Sequence, residues 1–186
     1  MLVAVIVLAV VLAIALVALA ALMLTRRRTA ALHERFGPEY DRVVEKTGGR
    51  RAAEQELEQR TQRRQQLNIR PLDAMQREAF AASWRSVQAR FVDQPREAVA
   101  DAESLVRDVM QQRGYPVGEF DQQEADLSVD HADVLNHYRA AHEIAMRDSD
   151  GEATTEELRA AMVHYRAMFD SLLKPEPSGA SAGGRR

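Results

Sequence analysis

The chain has 186 residues, with 25 Lys and Arg against 28 Asp and Glu and no cysteine. That length suits one domain plus linkers, and the missing cysteines exclude disulfides, thiolate chemistry and Cys-ligated zinc. Charge is unevenly spread: residues 25–70 carry 12 basic against 7 acidic side chains (net +5), residues 71–173 carry 10 against 20 (net −10), and residues 174–186 carry 3 against 1 (net +2).

Residues 2–24 are an unbroken run of Leu, Val, Ile, Ala and Met, followed directly by Arg26, Arg27 and Arg28. As a helix the run spans roughly 35 Å, enough to cross a hydrocarbon core of about 30 Å. Residues 1–25 are therefore expected to be a transmembrane anchor in a lipid bilayer, with the three arginines at the membrane flank. Basic residues mark the cytoplasmic side, which places the N-terminus outside and the C-terminal domain in the cytoplasm of a single-pass cell-membrane protein. The alternative is export after cleavage of a signal at Ala18-Leu19-Ala20. Against it stand the lack of a preceding cation, a run longer than a signal core of about 7–15 residues, and cations on the far side.

Residues 26–70 read as a basic juxtamembrane stalk, attracted to anionic lipid by about 1 kcal/mol per cation, while the acidic domain beyond is repelled. Phe36-Gly37-Pro38 breaks the first helix, and Tyr40, Val43 and Val44 offer a short apolar face before Thr47-Gly48-Gly49. Residues 50–66 are rich in Glu, Gln and Arg, with Leu57 almost the only large apolar side chain. A solvated spacer supported by pairs such as Glu56 with Arg60 is expected, the alternative being a coiled-coil seam through Ala53, Leu57 and Arg64.

Beyond Pro71 the apolar spacing becomes helical. Asp73 with Gln76 forms a capping box, and Phe80, Trp84, Val87 and Phe91 make one stripe. Pro95 opens a second helix, with Val99, Ala102, Leu105 or Val106, and Val109 or Met110 inward, and Gly114 closes it. A weaker helical piece covers residues 119–127. A third strong helix is expected from Asp130, carrying Val134, Leu135, Tyr138, Ala141 and Ala145. Thr154 and Glu157 cap the last helix, whose stripe is Leu158, Ala161, Met162, Tyr165, Phe169, Leu172 and Leu173. The expectation is an all-α fold: an N-terminal transmembrane helix, a polar helical stalk, then an acidic bundle of about four main helices plus one short helix over residues 71–173. Residues 174–186 are small, polar and expected to be disordered.

His137-Tyr138-Arg139-Ala140 and His164-Tyr165-Arg166-Ala167 share one pattern, 27 residues apart. Each Tyr lies on an apolar stripe. This suggests a helical hairpin with paired Tyr rings inside and a rim of His137, Arg139, His164 and Arg166 that binds an anion or an acidic partner, or else two helices solving one packing problem. His131, His137, His142 and His164 crowd the last third, with Asp130, Asp133 and Glu143 close by in sequence, but His137 and His142 are five apart and miss helical ligand spacing, so no metal is expected. Asp148, Asp150, Gly151 and Glu157 resemble part of a calcium loop, yet Met146 stands where the first carboxylate belongs. Thr47-Gly48-Gly49-Arg50 lacks the ending of a phosphate loop, and no nucleophile elbow, zincin helix or dinucleotide fingerprint occurs, so no catalytic residue and no cofactor is implied. The acidic folded part lacks a basic face for phosphate, which argues against nucleic acid.

Arg35-Phe36-Gly37-Pro38-Glu39-Tyr40-Asp41, Arg113-Gly114-Tyr115-Pro116, Leu127-Ser128-Val129-Asp130-His131 and Met162-Val163-His164-Tyr165-Arg166 resemble segments of a family of small single-span membrane proteins from GC-rich bacteria whose members carry no assigned activity. The resemblance covers most of the chain after the anchor. It implies a shared architecture and no catalytic residues. The leading functional expectation is a membrane-tethered helical interaction module with a protein partner, a homo-oligomer also being compatible. The alternative is a membrane-anchored enzyme, or a ligand or metal sensor, using the His and carboxylate cluster of the last two helices.

Overall fold

The computed structural model describes residues 2–174, with side chains from residue 12 onward. The tail expected to be disordered lies outside the described residues from position 175. Among the described residues there are eight helices and no strand: α1 (Leu2–Phe36), α2 (Pro38–Thr47), α3 (Arg50–Gln66), α4 (Ala74–Arg90), α5 (Pro95–Arg113), α6 (Phe120–Leu127), α7 (Leu135–Ser149) and α8 (Thr155–Leu173). The all-α expectation holds. The described residues divide into two compact units that part between Glu58 and Gln59, inside α3.

In the first unit α1 runs on through the three arginines to Phe36, where Gly37, at φ +49°, turns the chain and Pro38 starts α2. Leu32, Phe36, Tyr40, Val43, Ala53 and Leu57 are buried. Thr29 Oγ1 and Tyr40 Oη donate to the same Glu54 carboxylate oxygen, at 2.6 and 3.2 Å, and Arg28 pairs with Glu58. Among the described residues no helix is long and apolar enough to cross a membrane. The expected 1–25 anchor is not met by them: side chains are described only for residues 12–24 of the apolar run, which as a helix span about 20 Å of the roughly 30 Å required. The side chains of residues 2–11 lie outside them.

The expected solvated spacer is corrected. Ala53, Leu57 and Arg60 of α3 are buried, because this stripe finds partners that local sequence does not reveal. In the second unit Arg63 forks onto Asp126 with bonds of 2.7 and 3.3 Å, Arg64 pairs with Asp130, and Arg60 donates to Ser128 Oγ at 3.3 Å. The basic end of α3 thus meets carboxylates of the acidic segment.

The rest of the second unit is the expected set of four main helices, α4, α5, α7 and α8, with the short α6. Helix α5 packs against α4, α7 and α8, α7 pairs with α8, and α6 rests on α7. One apolar core joins them, with Val99, Ala102, Val106, Val109 and Met110 from α5 meeting Leu135, Tyr138 and Ala141 from α7 and Leu158, Tyr165, Phe169 and Leu172 from α8. Both capping boxes form as expected, at Asp73 and Thr154. Ile144 and Met168 join the core in addition, whereas Leu173 and Ala145 only border it. Helix α4 contributes a single fully buried side chain, Trp84, with Phe80, Val87 and Phe91 partly covered.

Two departures follow from long-range contacts. Helix α7 begins at Leu135 rather than near Asp130, because residues 128–134 form successive turns that bury Ser128, Val129 and His131. Gly114 does more than end α5: at φ +95° it lies so close to the incoming chain that a Cβ would stand 2.5 Å from the Asn68 carbonyl oxygen. Next to it, Arg70 N–H donates to the Arg113 carbonyl at 2.9 Å.

Candidate functional site

The four rim residues expected from the repeated His-Tyr-Arg-Ala pattern separate into three environments. Tyr138 and Tyr165 do meet inside the α7–α8 hairpin, edge to face at 6.4 Å, and both are buried. Tyr138 Oη donates to Gln123 at 2.9 Å, whereas Tyr165 Oη is buried without a hydrogen-bond partner. Burial pushes both phenols above their ordinary pKa. On the outer side of this pair His137 and His164 come together, Nδ1 to Nδ1 at 2.9 Å, His137 exposed and His164 half-buried. Partial burial, and then the neighbouring ring, lower the pKa of His164.

Arg139 does not join them. It is buried, pairs with Glu124, and donates to Asn136 Oδ1 at 3.0 Å, tying α7 to α6. At one residue past Tyr138, helical geometry swings it toward α6 and away from the two histidines. Arg166 sits on a different side of α8 from His164. Its guanidinium lies 5.4 Å above the Trp84 ring and 6.0 Å from that of Phe169, and it bonds Asp170 at 2.8 Å and Gln88 at 3.4 Å.

That position opens onto a groove of about 280 Å³ between α4 and α8. Trp84 and Met162 form its buried floor, with Trp84 stacked on Phe169 at 4.8 Å. Gln88, Phe91, Arg159, Val163 and Arg166 form its sides, and Val163 is 63% exposed. The groove exists because α4 buries little beyond Trp84, so its flank facing α8 is left open. The Phe80-Trp84-Val87-Phe91 stripe was readable from spacing as core. Its incomplete burial was not, since closure depends on the partner helix.

The other histidines do not gather into one cluster. His142 stacks on Phe120 at 3.7 Å, near Glu103. His131 is buried at the C-terminal end of α8, where its Nδ1 lies 2.9 Å from Ser171 Oγ and its Nε2 lies 3.5 Å from Arg113 Nη1. Arg113 also donates to the Leu172 carbonyl at 3.0 Å, satisfying a terminal carbonyl with a cation at the negative helix end. Nearby, Tyr115 Oη donates to Asp130 at 2.8 Å. This network is assembled from the Arg113-Gly114-Tyr115 and Asp130-His131 segments. Burial, reinforced by the Arg113 charge, holds the His131 pKa down at about 4, so the ring is neutral at pH 7.

A Ser-His pair invites a nucleophilic reading, but the proton is on the wrong side. Arginine can only donate, so Nε2 accepts and Nδ1–H donates to Ser171 Oγ. The ring therefore offers Ser171 no base, and both side chains are enclosed. Among the described residues no group of three or more His, Asp or Glu could hold a metal. At the calcium-like turn Glu157 accepts from Thr154 N–H at 2.8 Å and from Arg147 at 2.6 Å, and these contacts lower its pKa to about 2.

No protein-family model, no curated protein and no solved structure matches the chain.

Proposed function

We propose that the chain is a membrane-tethered helical interaction module that receives a partner in the α4–α8 groove. The observation that carries this reading is the composition of the groove. Trp84, Phe91, Met162, Arg159 and Arg166 are the residue types enriched in protein interfaces, gathered around an exposed valine. The occupant that fits is an amphipathic helix with apolar anchors and acidic flanks, laid between α4 and α8. Arg166 and Arg159 pair with Asp170 and Glu156 along their own helix at exposed positions, pairs worth about 0–1 kcal/mol, so both can turn to acidic residues of a partner at little cost.

The tether is the apolar run. Leu12, Ile14, Leu16, Val17, Leu19 and Leu22 are all about half exposed or more, pointing around every side of α1. A helix apolar on all sides is stable in lipid and costly in water, which supports a bilayer as its medium. The Arg26, Arg27, Arg28 flank supports a cytoplasmic second unit.

Photocrosslinking in membranes tests the docking reading. A crosslinking side chain at Gln88, in the groove, should yield one adduct of defined mass that Val163→Glu abolishes, while the same probe at exposed Ala100 on α5 should not. Equal adducts from both positions, or none from Gln88, would overturn it.

A further inference from the structure

The His137–His164 pair is separate from the groove and is not used by it. Two histidines from different helices place their Nδ1 atoms 2.9 Å apart, ring centroids 5.1 Å apart, with planes inclined at 36°. Two nitrogen ligands at adjacent corners of a square or octahedral metal site, each bonded at about 2.05 Å, stand about 2.9 Å apart, whereas tetrahedral corners stand about 3.3 Å apart. We propose that His137 and His164 form a cross-helix chelate for a divalent transition metal of nitrogen preference, Cu²⁺ foremost and Ni²⁺ next, with solvent at the remaining positions.

The arrangement favours it in two ways. Each histidine directly precedes a buried tyrosine, Tyr138 or Tyr165, that packs between the helices, so α7 and α8 present the ligands without ordering a loop. Both rings are accessible, His137 more than His164, so a metal can enter from solvent. In the metal-free pair one Nδ1–H donates to the other Nδ1. On binding, both rings carry their proton on Nε2 and both Nδ1 lone pairs turn to the metal. Square or tetragonal nitrogen sites and the order of divalent affinities both select Cu²⁺ over Zn²⁺. No carboxylate is recruited, so the site differs from the His and carboxylate cluster expected from sequence.

The test uses the tag-free full chain in detergent micelles, titrated with Cu²⁺, Ni²⁺ and Zn²⁺ in a non-chelating buffer, with Cu²⁺ followed by paramagnetic resonance. The expected result is one equivalent of Cu²⁺ with nitrogen coupling in the spectrum, weakened by about 100-fold in both His137→Gln and His164→Gln when chelation is lost, and unchanged in His33→Gln. Trp84 fluorescence in each variant confirms that the second unit stays folded. Copper binding that survives in both variants, or no stoichiometric binding at all, would overturn the proposal.

Discussion

Acidification should unfold the second unit through His131 more than through any surface histidine. The ring is 5% exposed, and its pKa is held near 4 by burial and by Arg113, against 6.5 for a free histidine. A depressed pKa means the folded state refuses a proton that the unfolded chain accepts. The stability associated with neutral His131 is therefore complete above pH 6.5 and is lost as the pH falls from 6.5 toward 4. At about 1.4 kcal/mol per pH unit the whole window is worth about 3 kcal/mol, and the step from pH 7 to pH 5 about 2 kcal/mol. Trp84 is the single tryptophan and is buried against Phe169, so urea unfolding of the full chain in micelles can be followed by its fluorescence. His131→Gln keeps a donor for Ser171 and an acceptor for Arg113 but cannot titrate. It should lose about 2 kcal/mol less than the native chain between pH 7 and pH 5, other titrating groups cancelling in the difference. Parallel pH dependence in the two proteins would refute the argument.

Other substitutions separate packing from docking, each read as a change in urea midpoint at pH 7. Arg139→Ala should destabilise by about 3–5 kcal/mol, because it strands Glu124 in a largely buried pair, and should leave groove crosslinking from the folded fraction unchanged. Gly114→Ala should cost at least about 2 kcal/mol, combining a left-handed backbone with a Cβ driven onto the Asn68 carbonyl. Tyr165→Phe removes a buried hydroxyl without a partner and should be neutral or stabilising, whereas Tyr115→Phe gives up a bond to the Asp130 carboxylate and should cost about 1.5–3 kcal/mol.

Much of the bundle was legible because its signals are local. Caps at Asp73 and Thr154, the stops at Gly37 and Gly114, and the inward spacing on α5 and α8 depend on residues within a turn or two of one another. The repeated His-Tyr-Arg-Ala pattern correctly pointed to a Tyr pair between α7 and α8, and it carried the signal for the His137–His164 contact that ligand spacing within one helix does not reveal. What the pattern could not convey is that its two arginines are inequivalent. Arg139 finds Glu124 on α6, while Arg166 finds Trp84 on α4, and both partners are chosen by tertiary packing. The burial of α3 and the late start of α7 were hidden for the same reason. Arg63, Arg64 and His131 acquire their meaning from Asp126, Asp130, Arg113 and Ser171, tens of residues away in sequence.

The proposed tether is tested most directly by protease protection of a C-terminal tag on the full chain in a bacterial host, comparing intact cells, spheroplasts and lysed spheroplasts, with the mature mass measured in parallel. The membrane-tethered account predicts a tag shielded until lysis and a protein that keeps its apolar N-terminal run. Cleavage in unlysed spheroplasts, or a mass lacking roughly the first 20–25 residues, would contradict it.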